Sequence, residues 1–276
     1  MIQALPLVES GRAAGLTGRH LALACASHQG AAVHVDLAAR WLADLGLSEA
    51  DLRCGAHEPF DRIERDRLIR AGETPCQLHN NCSGKHAGFL HLTQAMGAGP
   101  EYVAPEHPLQ RAIRTAFEEV TAEPSPGYGI DGCSAPNFAT SLTGLARAMA
   151  AFAAPGTDAR GQAMSRLTAA MIAHPELVAG EGRACTELMR AASEPVALKT
   201  GAEGVFAAIL PQRRLGLALK IADGTTRAAE AALAALLVHL GVLSADHPAT
   251  RRRLGGEQRN WRGLVTGWLA AAPGFP

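Results

Sequence analysis

The sequence is poor in lysine. Only Lys85, Lys199 and Lys220 stand against 23 arginines, so arginine supplies the generic surface cations and each remaining lysine calls for a reason. A lysine does what an arginine cannot where a task needs a neutral amine or a compact ammonium, because a buried amine can lose its proton and a guanidinium does not. An excess of charge of either sign is also lacking. The 26 basic and 26 acidic residues cancel, which argues against a nucleic-acid partner and against docking on an anionic membrane. Long apolar runs are missing too: the longest, Ala228 to Val242, contains Glu230 and His239 and falls short of the roughly 20 apolar residues of a membrane span. No basic segment followed by an apolar run and a small-residue cleavage site opens the chain, so the cytoplasm is the expected compartment. Six cysteines, Cys25, Cys54, Cys76, Cys82, Cys133 and Cys185, are too few and too scattered for a disulfide scaffold. In a reducing compartment they serve as buried fillers, reactive thiols or metal ligands.

What is present suffices for a folded protein. With 47% hydrophobic and 19% charged residues over 276 positions, the chain can bury a full core in one large or two small domains. No internal repeat or low-complexity tract divides it. Leu21 to Ala26 reads as a short buried strand, and Ala31 to Leu45 as a helix with Val35, Ala38, Leu42 and Leu45 on one face. Asp61 to Ala71 is a charged surface helix, capped by Asp61 and stopped by Gly72. Further helices are expected over Lys85 to Met96, Pro108 to Val120, Leu142 to Phe152, Ala159 to Ala173 and Arg183 to Ala192, with Glu123 to Asn137 as a loop rich in proline and glycine. From Pro195 the period changes. Val196 to Leu198, Val205 to Leu210 and Leu215 to Ile221 form an antiparallel meander, Thr226 to Leu240 returns to helix, and Trp261 to Leu269 is a candidate closing strand. The pattern implies an α+β fold, with a helical subregion at about 61–193 and helices against an antiparallel sheet.

Three segments could carry chemistry. In Leu78 to Leu90, Cys82 and Lys85 lie three residues apart where a loop runs into a helix, so one turn can aim both side chains at one point. They fit a nucleophile with its base, half of a metal site, or a core thiol beside a surface lysine. In Gly129 to Pro136, Asp131 sits two residues from Cys133 in a glycine-rich loop. A buried Asp-Gly turn explains this stretch, and so does an acceptor for a substrate ammonium with a second thiolate beside Cys82. The third segment, Lys199-Thr200-Gly201 on a strand edge, is similar to one element of penicillin-recognising serine hydrolases. No Ser-x-x-Lys occurs anywhere in the chain. Ser27, followed by His28, is the most plausible hydroxyl to pair with Lys199, and Ser83 is a residual candidate.

Taken together, Ile2 to Pro6, Ala24 to His28, Cys54 to His57, Leu78 to Leu90, Asp131 to Cys133, Cys185 to Met189 and Lys199 to Phe206 resemble the rhizobial-type L-asparaginase, or asparaginase II, family over essentially the whole chain. The Asn80 to Gly88 stretch is the most specific part. The resemblance implies an α+β fold like that of serine β-lactamases and serine-dependent glutaminases, hydrolysis of L-asparagine to aspartate and ammonia, and a homodimer. By position it assigns Cys82, Lys85 and Cys133 to a zinc site, Ser27 and Lys199 to a catalytic serine-lysine pair, and Asp131 and His86 to the substrate. In the family the other serine-lysine pair, a Ser-x-x-Lys that carries the expected nucleophile, lies just upstream of the Gln3 to Pro6 stretch. Met1 stands where that motif should have ended, so the expectation is one unit lacking an N-terminal segment, with weak or no activity in this form. Two other readings are a glutaminase or penicillin-recognising hydrolase and a zinc-stabilised amino-acid-binding protein without turnover.

Overall fold

The computed structural model describes residues 1–275. Helices open the chain: α1 (Leu5–Glu9), α2 (Gly18–Ala24), α3 (Ala32–Asp44), α4 (Arg62–Ala71), α5 (Ser83–Ala95) and α6 (Pro108–Thr121). A hairpin of β1 (Tyr128–Ile130) and β2 (Pro136–Phe138) interrupts them before α7 (Leu142–Ala153), α8 (Ala159–Ala173), α9 (Pro175–Val178) and α10 (Ala184–Ala191). Then come β3 (Ala197–Thr200), β4 (Val205–Leu210), β5 (Leu215–Lys220), α11 (Thr226–His239), α12 (Pro248–Arg251), β6 (Gly256–Arg259) and β7 (Val265–Leu269). The fold is mixed helix and antiparallel sheet, the expected α+β class.

The main sheet is the antiparallel meander β3-β4-β5, with Lys199 opposite Ala207 and Leu217 opposite Ala208. Consecutive residues Phe206 to Leu210 are all buried, which requires cover on both faces of the sheet. Helices α7 and α11 both pack on β4 and β5 and supply it. The contact with α7 is so close that a Cβ on Gly216 would lie 2.0 Å from the Ala150 backbone nitrogen. Below the sheet, α2 packs between α8 and α5, and α5 also meets α3. Trp41, Phe152, Leu5, Leu23 and Ile113 are fully buried in the shared core. No helix among the described residues is long and apolar enough to cross a membrane.

Three local expectations need correction. Leu21 to Ala26 is not a strand: Leu21 to Ala24 are the last turn of α2, whose start Thr17 and His20 cap, and Cys25 and Ala26 follow its end. A short run buried on every side carries no period, and alternating leucine and alanine are strong helix formers. Glu123 to Asn137 is not a plain loop, because β1 and β2 pair within it and leave residues 131–135 as the hairpin tip. Trp261 to Leu269 does not close the main sheet. Its second half, β7, pairs only with β6 as a separate exposed ribbon, and Trp261 is entirely exposed.

Candidate active site

The turn after α2 is held from both sides. Ser27 N–H donates to the Val178 carbonyl at 3.0 Å, and His28 N–H donates to the Asn81 carbonyl at 3.0 Å. In the stretch 21–30 only Ser27 keeps solvent access. Its Oγ lies 2.6 Å from Nζ of Lys199, which β3 presents from the sheet edge and which also donates to the Thr200 carbonyl at 2.5 Å. Burial lowers the pKa of Lys199, with a smaller opposing pull from the thiol of Cys185. Desolvation favours the neutral amine.

Lys199 lines a cavity of about 380 Å³, together with Gln3, Asn137, Thr200, Glu203 and the apolar walls of Phe117, Phe138 and Met149. Such a volume accommodates an amino-acid-sized ligand with room to spare. Gln3 is fastened to the hairpin by its Nε2, which donates to the Pro136 carbonyl at 3.3 Å. Gln3, Asn137 and Glu203 were not singled out by sequence reasoning. Gln3 and Glu203 lie within the stretches Ile2 to Pro6 and Lys199 to Phe206, whereas Asn137 carries no spacing signal and reaches the cavity through tertiary packing alone.

A second cluster adjoins the first, since the charges of Cys82, Lys85 and Lys199 act on one another. Cys82 is the N-cap of α5 and Lys85 stands in its first turn. The start of α5 sits close against α2 because residue 84 is glycine: a Cβ there would come within 2.2 Å of Leu23 Cγ and 2.7 Å of the Leu23 carbonyl oxygen. The β1-β2 hairpin tip brings Asp131 and Cys133 to the same place, so that one ligand atom each from Cys82, Asp131 and Cys133 lies within 4.8 Å of the others. Lys85 Nζ donates to Cys133 Sγ at 3.2 Å and lies 3.9 Å from Asp131 Oδ2. Asp131 is steadied by the Gly132 N–H, which donates to its Oδ1 at 2.7 Å.

The closeness of the two thiols holds Cys82 below the ordinary thiol range and pushes Cys133 above it. Burial opposes the ammonium of Lys85, but the charges of Cys82, Cys133 and Asp131 outweigh it and raise its pKa. Two sulfurs and a carboxylate converging on one point are a donor set that fits zinc, which Lys85 would join as a ligand on giving up its proton. The segment's two halves, 82–85 and 131–133, could not be joined by sequence spacing.

Two expected residues stand elsewhere. His86 does not line the cavity: it is fully buried, with Nδ1 2.9 Å from the Tyr102 hydroxyl and Cys133 close to its ring. It backs the thiol instead of facing a substrate. Ser83 is fully buried as well, donating to the Leu78 carbonyl at 2.9 Å and bonded to His28 Nε2 at 3.0 Å. Its hydroxyl holds the turn between 78 and 83 in shape and has no access to a ligand. His28 is likewise structural. Its Nδ1 accepts from Gly30 N–H at 3.1 Å, which leaves the proton on Nε2 for Ser83.

A family model described as L-asparaginase II matches residues 1–271. No curated protein matches the chain. Matched almost from end to end, the chain belongs to the asparaginase II family, and with it to the asparaginase-type hydrolases that act on small molecules.

Proposed function

We propose that this protein is an L-asparagine amidohydrolase that releases aspartate and ammonia, with Ser27 and Lys199 as its serine-lysine pair. The observation that carries this reading is the 2.6 Å contact between Ser27 Oγ and a buried Lys199 Nζ at the wall of the cavity. With Lys199 neutral, its lone pair accepts the Ser27 proton while one of its N–H groups stays bound to the Thr200 carbonyl. Ser27 Oγ then attacks the side-chain amide carbon. Lys199 returns the proton to the departing ammonia, and water hydrolyses the resulting ester by the same route in reverse. Asp131, at the hairpin tip, takes the α-ammonium of the substrate, a charge-assisted contact that selects an amino acid over a plain amide.

Cys82, Lys85 and Cys133 are the residues that would hold zinc, with Asp131 beside them and His86 close behind Cys133. The ion would supply a fixed positive charge next to the reaction centre. Within this reading the architecture is of the serine β-lactamase and glutaminase type, supported by the helical block packed on a three-stranded antiparallel sheet with Lys199-Thr200-Gly201 at its edge. The working unit is a homodimer in the cytoplasm.

Two measurements on the folded chain test the proposal: ammonia release from L-asparagine and asparagine binding by calorimetry. Ammonia release that Ser27→Ala abolishes supports it, and release that survives Ser27→Ala overturns the assignment of the pair. Release from glutamine in preference to asparagine overturns the substrate.

A further inference from the structure

Outside the cavity, the structure holds a second trio of a thiol, an imidazole and a carboxylate. Cys76 precedes a single 3₁₀ turn, Gln77–His79. Its Sγ lies 3.4 Å from His79 Nδ1, and its N–H donates to the same nitrogen at 3.1 Å. Because Nδ1 accepts, the ring proton resides on Nε2, which faces Glu64 Oε1 of α4 at 3.4 Å. His79 and Glu64 are both buried, whereas Cys76 alone among the six cysteines is not. Glu64 is kept ionised by Arg67, which donates to its Oε1 at 2.8 Å and 3.0 Å. Other charged or titratable groups around the trio are His28, which lies close enough to act on His79, Glu49, which accepts from Gln77 N–H at 2.7 Å, Asp61, whose Oδ1 accepts from Glu64 N–H at 2.8 Å, and Cys54, whose thiol donates to the Gln77 carbonyl at 3.5 Å. The catalytic reading above uses none of these three side chains.

We propose that Cys76 is a thiol-exchange site, modified by low-molecular-weight disulfides, with His79 as its proton acceptor and Glu64 as the positioning residue. Exchange proceeds through the thiolate, so a base within reach of the thiol sets the rate at neutral pH. As Cys76 Sγ bonds to one sulfur of the incoming disulfide, the disulfide bond breaks and its electron pair leaves with the other sulfur. His79 takes the Cys76 proton and passes it to that departing thiolate. The protein sulfur is oxidised to a mixed disulfide, and the leaving half is reduced to a thiol. Nδ1 carries no proton and lies 3.4 Å from Sγ, within reach of the thiol proton beside the Cys76 N–H that it already accepts, and the carboxylate near Nε2 stabilises the imidazolium that forms.

The test is the rate of mixed-disulfide formation with oxidised glutathione, mapped by peptide mass spectrometry on the intact chain. Cys76 is expected to react first, and Cys76→Ser to remove the fast phase. His79→Gln should slow the reaction at neutral pH by about a hundredfold, the low end of what a positioned base contributes. In strongly alkaline solution, where hydroxide takes the place of the positioned base, variant and parent rates should converge. Earlier labelling of another cysteine, or an unchanged neutral rate in His79→Gln, overturns the proposal. If His79→Gln unfolds, seen as rapid labelling of all six cysteines, Glu64→Gln decides: a rate unchanged from the parent overturns it and a slower one supports it.

Discussion

The Ser27 hydroxyl and the Lys199 amine, 172 residues apart in the chain, meet at 2.6 Å. One comes from the turn after a buried helix and the other from a sheet edge, and neither element alone specifies the contact. If the pair works as a unit, its members fail together. Ser27→Ala and Lys199→Met are each expected to lower ammonia release by about a thousandfold or more, and the double variant to be no worse than either single one. Initial-rate assays on the three variants check this, and additive losses would dissolve the pair into independent groups.

Asp131 is expected to govern affinity for the substrate's ammonium. Asp131→Asn keeps the shape and removes the charge, which should weaken asparagine binding by about ten- to a hundredfold, the range of a charge-assisted hydrogen bond. Calorimetric titration of asparagine against succinamic acid, which lacks the amino group, separates this role from a purely structural one. The variant should lose its preference between the two.

Elemental analysis of the purified chain should find about one zinc per protein, bound through Cys82, Lys85 and Cys133. Cys82→Ser and Cys133→Ser should each lose the ion on dialysis against a chelator under conditions in which the parent retains it. Full retention in both variants would place the metal elsewhere.

Two buried histidines give stability a pH dependence of known sign. His28 is held well below its ordinary pKa by burial and by the neighbouring ring of His34, which stacks on it at 4.7 Å; burial lowers His34 as well. Below about pH 6.5 the unfolded chain binds protons that these folded rings refuse, so stability falls as pH falls, by up to about 1.4 kcal/mol per pH unit for each ring. Urea unfolding at several values between pH 7 and pH 5 measures the slope. A flat profile in that window would contradict the burial of both rings as neutral species.

Gly84→Ala sets two effects against each other. Alanine favours a helix by about 1 kcal/mol over glycine, but its Cβ would meet both the side chain and the backbone carbonyl of Leu23. Backbone does not yield cheaply, and overpacking of this kind costs about 1 to 3 kcal/mol. The net expectation is a lower Tm in thermal unfolding. A raised Tm would mean that α2 and α5 separate more easily than their close approach implies.

Elements with local stop and start signals were legible before the fold was known. The helix from 62 to 71 begins at Asp61, whose side chain accepts from Glu64 N–H, and ends at Gly72 in a left-handed conformation. Both signals lie within the segment. The run at 21–26 has no such asymmetry, since it is buried on all sides and leaves no polar face to betray a period. The ribbon β6-β7 was half visible, because Trp268 and Val265 suggest a strand while its partner Gly256–Arg259 is polar and bulged.

The sequence by itself determined the chemistry on offer: a thiol and an amine one helical turn apart at Cys82 and Lys85, a carboxylate and a thiol at Asp131 and Cys133, and a scarce lysine at position 199. These patterns are local, because a turn or a helix start fixes which neighbouring side chains point together. Which of them meet was decided by tertiary structure. Packing of α5 on α2 through Gly84 and the fold of the β1-β2 hairpin bring 82 to 133, and the α2 turn against the sheet edge brings 27 to 199. The same packing withdrew His86 and Ser83 from the cavity. Contacts between distant segments depend on how whole elements bury their apolar faces, and no spacing along the chain encodes that.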